Sequence, residues 1–306
     1  MAIVKSFAVS DINGQQGDMF YIKHASSNFT IIDCCITDDN KDLVLNEMKK
    51  ISESKDITRF ISTHPDEDHI CGLEHLNSKL GLLNFYCVEN NAVKEDETDS
   101  FKEYCRLRDD SDKHYFVQAD CKRKWMNEND ENDGKNYGSS GIFFKWPKID
   151  NSDFQNALND AAEGKTYNNL SPIFTYSIKE GATFMWMGDI ESDFVDKVKS
   201  DIEWPQVDIL FAPHHGRKSG KLPSDILKKL NPKVVIIGEA PSNNIDYYQG
   251  YNTFTQNSTG NITFECDNGM VHVYIENEEY EYDTTFLEDK NKENLDNGFY
   301  VGTLVL

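Results

Sequence analysis

At 306 residues and a formal net charge of −22, the chain has ample length to bury a core. It is too acidic to track a nucleic-acid backbone over a broad face, where counterion release rewards many Lys and Arg contacts. Hydrophobic residues make up 38%, which sets it apart from charged disordered chains, and no apolar run approaches the ~20 residues of a membrane span. The seven cysteines (34, 35, 71, 87, 105, 121 and 266) are odd in number and lack zinc-ribbon spacing. With no signal-like segment at Met1-Ala2-Ile3-Val4-Lys5, they predict a reduced cytoplasm.

Residues 1–33 read as paired strands, with weak alternation over 3–9, a β-like run at 19–23 and another at 28–32 that ends on Asp33. A glycine-punctuated turn, Asp11-Ile12-Asn13-Gly14-Gln15-Gln16-Gly17-Asp18, joins the first two. Residues 39–54 carry helical spacing, with Leu43, Val44, Met48 and Ile51 on one face behind a capping Asp39 or Asn40. A strand over 58–63, a helix over 70–80 and a short strand over 85–88 follow. Residues 89–140 change character. The stretches 89–100 and 125–135 are acidic or Asn-rich with little periodicity, which predicts an irregular acidic insertion over the fold and a face for a protein partner. Within it, Lys122-Arg123-Lys124 reads as a solvated turn in preference to a binding site. Helical order resumes over 152–163, capped by Ser152 and stopped by Gly164.

Strand and helix then alternate. Runs at 172–178 and 182–187 form a hairpin over Lys179-Glu180-Gly181. A helix over 192–199, a buried strand over 207–212, a helix over 224–230 and a strand over 233–238 come next. The tail has β-like runs at 262–265, 270–275 and 299–306. No repeat and no linker divides the chain, so a single domain over 1–306 is expected, of α/β class, with two sheets face to face and helices outside.

One stretch concentrates metal-binding chemistry: Thr63-His64-Pro65-Asp66-Glu67-Asp68-His69. Positions 64, 66 and 68 alternate to one side of a loop at a strand end, and His69 turns toward a neighbouring centre, a way to hold two cations side by side. Three further pieces also stand at strand ends: Asp33, Asp189 in Met185-Trp186-Met187-Gly188-Asp189, and His214 and His215 in Phe211-Ala212-Pro213-His214-His215-Gly216. Acids and imidazoles repeated at strand ends suit a site on a rigid scaffold. His24 and His272, inside β-like runs, read as structural. Cys34 and Cys35, with no general base, read as buried neighbours. Tyr247, Tyr248 and Tyr251 read as a loop packed on its own rings more readily than as a stacking platform.

The ordered set Thr63-His64-x-Asp66-x-Asp68-His69, Gly188-Asp189 and His214-His215-Gly216 resembles the metallo-β-lactamase fold superfamily of hydrolases. The nearest look is its ComEC-like branch, in stand-alone form. Gly14-Gln15-Gln16-Gly17-Asp18 looks like that branch's GQGD turn with one extra Gln, and Asn168-Asn169-Leu170-Ser171 looks like its Asn-x-x-Ser. The resemblance covers roughly residues 5–275. It implies a four-layer αββα sandwich with a dinuclear site at one edge. His64, Asp66 and Asp189 would hold one metal; Asp68, His69, Asp189 and one of His214 and His215 would hold the other. His215 is favoured as that ligand, His214 as the substrate-facing or proton-handling partner, and Asp33 as the group that orients a ligating histidine.

Two departures from the superfamily pattern carry information. Asp66 stands where histidine is commoner, and the interval before Gly188-Asp189 offers only His75, in the motif's own helix, and His114, in the insertion. Asn168 or Asn169 is left to reach the first position. A carboxylate-rich, imidazole-poor set is harder in the ligand sense, which brings manganese in beside zinc. Where the branch has a serine after the glycine, this chain has Arg217. Two cations ~4 Å apart share a hydroxide and polarise a scissile group, with Asp68 and His214 as the catalytic side chains. Arg217, Lys218 and Asn169 are the expected substrate contacts. The reading is a phosphodiesterase or nuclease acting on a nucleotide or nucleic acid. The alternatives are an ester, lactone or amide hydrolase on the same scaffold, or a metal-binding subunit of a larger assembly.

Overall fold

Two large sheets form where the sequence alternates or runs apolar, beside a two-stranded pair of Val9–Ser10 and Gln16–Gly17. The computed structural model describes residues 1–10, 14, 16–129, 134–238, 247–281 and 284–306. In spatial order the larger sheet runs Phe299–Val305, Met270–Ile275, Ile262–Asp267, Ala2–Ser6, Phe20–Lys23, Asn28–Ile32, Ile57–Ile61, Phe85–Cys87, His114–Phe116. The smaller runs Ile142–Trp146, Ile173–Ser177, Thr183–Trp186, Ile209–Phe211, Val234–Ile237, Asn252–Thr255.

The two sheets face each other across a core that the period-2 pattern selects. Ala2 and Val4 of the first strand turn into it, as do Phe20, Ile22, Ile32 and Ile61. Aromatic rings from both sheets mesh there. Phe20 and Phe211 lie 4.8 Å apart edge to face, Trp186 stacks on Phe211 at 4.7 Å, and Phe184 meets Phe264 at 5.8 Å. The opposite face of the larger sheet presents Phe29, Ile31, Phe60 and Phe85 to the helices Lys41–Ser52, Leu73–Leu80 and Asp99–Asp109. Helices Ser152–Ala162, Ser192–Val198 and Ser224–Leu230 pack against the smaller sheet, for example through Phe154 and Phe194 on Trp146. The result is the four-layer αββα sandwich expected from the sequence.

Strand direction decides where a site can form. Asn28–Ile32, Ile57–Ile61, Phe85–Cys87 and His114–Phe116 are parallel neighbours in one sheet. Thr183–Trp186, Ile209–Phe211, Val234–Ile237 and Asn252–Thr255 are parallel neighbours in the other. Loops leaving the carboxyl ends of parallel strands are free to gather ligands.

Several elements differ from the sequence-based expectation. The stretch 89–140 is not irregular throughout. Thr98 Oγ1 accepts from Phe101 N at 3.0 Å and starts the helix Asp99–Asp109, which buries Phe101, Tyr104 and Leu107; His114–Phe116 then completes the sheet edge. The apolar spacing was there, masked by the charge around it. Residues 130–133 of that stretch lie outside the described residues, as do Asp11, Ile12, Asn13 and Gln15 of the first turn. The helix expected over 70–80 is two pieces, Glu67–Ile70 and Leu73–Leu80, because Cys71 is extended and its carbonyl accepts from Ile36 N at 2.9 Å. Asn151, rather than Ser152, caps the helix Ser152–Ala162, accepting from Phe154 N at 3.0 Å. Ile142–Trp146 and Asn252–Thr255 are strands where the sequence pattern predicts none.

Arg123 donates to Tyr86 Oη at 2.8 Å and lies 4.3 Å from the Tyr115 ring centroid, so the short basic cluster has a packing role at its centre. Among the described residues no helix is long and apolar enough to cross a membrane.

Candidate metal centre

Every acid and imidazole singled out at a strand end stands on the same edge of the sandwich. Asp33 follows Asn28–Ile32, the motif 64–69 follows Ile57–Ile61, Asp189 follows Thr183–Trp186, and His214 and His215 follow Ile209–Phe211. Asp33, His214 and His215 all take left-handed backbone, at φ +52, +52 and +53. Such conformations are uncommon outside glycine and are held by their surroundings. Here they turn three side chains inward at the point where their strands stop.

Each ring nitrogen that faces away from the centre has a partner. His69 Nδ1 lies 2.9 Å from Asp33 Oδ2, and Asp33 is itself fixed by Thr63, whose N and Oγ1 donate to it at 2.7 and 2.6 Å. His215 Nδ1 lies 3.1 Å from Asp18 Oδ1. His64 Nδ1 faces hydroxyls, Thr63 Oγ1 at 3.1 Å and Ser171 Oγ at 3.4 Å. These contacts leave the three Nε2 atoms facing inward.

The inward atoms are unmatched. His64 Nε2, His69 Nε2, His215 Nε2 and Asp189 Oδ1 are buried and make no hydrogen bond. An orphaned buried polar atom costs about 1–3 kcal/mol, and four in one place call for an explanation. Their spacing supplies one. His69 Nε2 is 3.2 Å from Asp189 Oδ1, and His215 Nε2 is 3.4 Å from Asp189 Oδ2 and 3.5 Å from Asp68 Oδ2. Bonds of about 2.0–2.1 Å from a tetrahedral cation to nitrogen and oxygen set neighbouring donors about 3.3 Å apart. The residues present therefore fit a divalent cation.

Asp18, His69, Asp189 and His215 bring ligand atoms within 4.8 Å of one another. Asp18 Oδ1, however, meets His215 on the Nδ1 side, away from the inward Nε2. That places Asp18 behind the ring, in the same relation that Asp33 has to His69, and leaves Asp68 with Asp189 at the front.

Charge follows the same geometry. Burial opposes ionisation throughout, yet Asp189 is held well below the usual carboxylate range by His215 and His69. Burial likewise opposes protonation of His69 and His215, but Asp189 lifts both well above the usual imidazole range, helped by Asp33 and Asp68 for the first and Asp18 for the second. Burial and His215 also oppose charge on His214, and its imidazole lies below its ordinary range although Asp189 pulls the other way. Its Nδ1 is 2.9 Å from Ser219 Oγ.

The remaining candidates divide. Asp66 is part-exposed at the rim, with Oδ2 3.3 Å from His64 Nε2. Arg217 is half-buried and Lys218 exposed, immediately after Gly216. Asn169 donates its amide N–H to Glu191 Oε2 at 2.8 Å, and its Oδ1 accepts from Glu191 N at 3.1 Å, so both ends of the side chain are engaged by Glu191. His75 contacts Lys41 and Glu74, and His114 stacks on Phe116, neither at the centre. His24 and His272 bond Thr30 and Thr303 within the sheets.

Sequence reasoning assigned no role to Asp18, Ser171 or Thr63. Ser171 Oγ accepts from Asp189 N at 3.1 Å as well as facing His64. The signals were available in the GQGD-like turn and the Asn-x-x-Ser motif.

No family model matches the chain, and no curated protein matches it. Solved structures do show similarity. Igni18, a metallo hydrolase from the hyperthermophilic archaeon Ignicoccus hospitalis, aligns at 13% identity and TM-score 0.44 over 86% of this chain and 99% of its own. A metallo-β-lactamase from Cronobacter sakazakii aligns at 12% identity and TM-score 0.34, over 63% and 70%. A long-form RNase Z from yeast aligns at 8% identity and TM-score 0.40, over 83% of this chain and 40% of its own.

Proposed function

We propose that this protein is a metal-dependent hydrolase of the metallo-β-lactamase superfamily, in its ComEC-like branch, and that it cleaves a phosphoester in a nucleotide or short nucleic acid. The observation that carries the reading is the set of buried donor atoms with no hydrogen bond, of which those of His69, His215 and Asp189 converge at cation-ligand spacing. Zinc or manganese is the cation, since the set mixes imidazole with hard carboxylates. Bound divalent cations would supply Lewis acidity to water and to the scissile group.

The chain's own residues do the rest. Asp68, His69, Asp189 and His215 hold charge at the centre, and His64 with Asp66 extends it to the rim. Asp33 keeps His69 turned so that Nε2 faces inward. His214 is near Asp189 but partly open to the rim, with Nε2 3.5 Å from Asp189 Oδ2. With its pKa lowered by burial, His214 is a base at rest that takes a proton from the attacking water and gives it to the leaving oxygen. Arg217 and Lys218, which follow His215 and Gly216 in the chain, would meet phosphate charge. The support for phosphate over lactam is this cationic rim together with the carboxylate at 66. For the cytoplasm the support is the odd count of seven cysteines without zinc-ribbon spacing.

The test is a metal assay joined to a substrate panel: an aryl phosphodiester, cyclic nucleotides, single-stranded DNA, RNA, a lactone and a β-lactam, with Mn²⁺ and with Zn²⁺. Phosphodiester turnover lost in Asp68→Ala and His69→Ala is expected. Turnover of the lactone or the lactam alone would overturn the substrate class, and a wild type that binds no metal would overturn the whole reading.

A further inference from the structure

The two cation positions are built differently. At the inner one, two imidazoles and two carboxylates present atoms to one another, all four side chains being almost fully buried. Both imidazoles are backed by a carboxylate, Asp33 behind His69 and Asp18 behind His215. Both loops are pinned as well. Asp18 N donates to Asp68 O at 3.1 Å, and His214 N donates to Gly188 O at 3.0 Å.

The rim position has one buried imidazole, His64, and one carboxylate, Asp66, whose side chain is 32% exposed. Its imidazole is backed by two hydroxyls at 3.1 and 3.4 Å, with no carboxylate among those contacts. Asp189 turns both oxygens to the inner side, Oδ1 to His69 and Oδ2 to His214 and His215. Asn169, one of the two candidates to fill the gap, is engaged by Glu191. Among the described residues, the rim thus has fewer preset donors and a weaker backing.

We infer that the two positions are unequal, with one resident cation at the inner site and a second that binds at the His64–Asp66 rim far more weakly. This rests on the metal-dependent reading above. Loss of an outer carboxylate partner alone weakens metal binding about 10–100-fold, so with a missing donor added the two dissociation constants should differ by at least about 100-fold. The inner ion would then be carried through purification, and the rim ion would join at high metal concentration or together with an anionic substrate that completes its ligand set.

The experiment is calorimetric titration of metal-stripped full-length chain with Mn²⁺, read alongside the electron paramagnetic resonance signal of the bound ion. Wild type should take one equivalent in a tight step and a second in a step at least about 100-fold weaker, with the first-equivalent spectrum uncoupled. His64→Ala, and the milder Asp66→Asn at a part-exposed position, should keep the first step and lose the second. His215→Ala should lose the first. Two equal tight steps, or a first step weakened as much by Asp66→Asn as by His215→Ala, would overturn the inference while leaving the metal reading intact. No binding in either step would remove both.

Discussion

Asp18 and His215 are 197 positions apart in the chain, yet Asp18 Oδ1 lies 3.1 Å from His215 Nδ1. The contact joins a turn at the start of the larger sheet to a loop at the end of a strand in the smaller one. Asp18→Ala should leave the fold in place, because the backbone bond from residue 18 to Asp68 O does not need the side chain. It should weaken metal binding about 10–100-fold by freeing the imidazole to rotate and change tautomer. Chelator competition measures this directly. Equal affinity in the variant and the wild type would mean that Asp18 does not orient His215.

The electrostatics of the centre predict proton release on metal binding. Asp189 holds His69 and His215 above the usual imidazole range, which favours a proton on each in the metal-free chain. A cation must displace them, and affinity therefore falls as pH falls. Calorimetry in buffers of different ionisation enthalpy should show net proton release near pH 7. An enthalpy independent of buffer would contradict it.

The same shifts set the metal-free stability profile. A raised histidine stabilises fully below its unfolded value, about 6.5, and loses that contribution as pH climbs through the folded value. A depressed carboxylate such as Asp189 or Asp68 stabilises above about 3.9 and loses it as pH drops through the folded value. The metal-free chain should thus be most stable between about pH 4 and 6.5, and added metal should move the optimum upward. Thermal melts across pH with and without chelator decide this; a metal-free optimum above neutrality would contradict the assignment.

His214 and His215 separate by function although they are adjacent. His215 is fully buried with Nε2 at the centre, and His214 sits nearer the rim against Ser219. His214→Ala should retain the tight metal and lower kcat by about 10²–10⁴, the range for a general acid–base group. His215→Ala should lose metal and activity together. Metal content measured beside turnover distinguishes the two. Loss of the tight metal in His214→Ala would reverse the roles.

Much of this centre was legible because its candidate donors follow apolar runs that end abruptly. His64, Asp68, His69, Asp189 and His215 each announce themselves as a polar residue after a strand. What was not legible was the second half of each contact. Asp18 and Ser171 matter through hydrogen bonds to partners far along the chain, and no local pattern shows which imidazole a carboxylate will face. The engagement of Asn169 is hidden for the same reason, since its partner Glu191 lies on a loop 22 positions later. The helix Asp99–Asp109 was hidden differently: Phe101, Tyr104 and Leu107 mark a buried stripe, but the charged residues between them lowered its apparent order.

Gly188 ties these strands together and gives the sharpest single test of the loop geometry. Its φ is +51, and a Cβ there would stand 2.6 Å from Ser171 Oγ and 2.8 Å from Thr63 Cβ. Its carbonyl also accepts from His214 N. Gly188→Ala must therefore push apart the loops that carry His64, Asp189 and His214, in addition to the left-handed backbone cost of about 1–2 kcal/mol. Gly81, which ends the helix Leu73–Leu80 at φ +67, has nothing within 4 Å of where its Cβ would be. Gly81→Ala should show only the backbone cost, about 1–2 kcal/mol, with metal affinity unchanged. Gly188→Ala should lose both stability and tight metal binding. Comparable melting shifts in the two variants, with metal retained in both, would mean that the contacts around Gly188 do not hold the centre together.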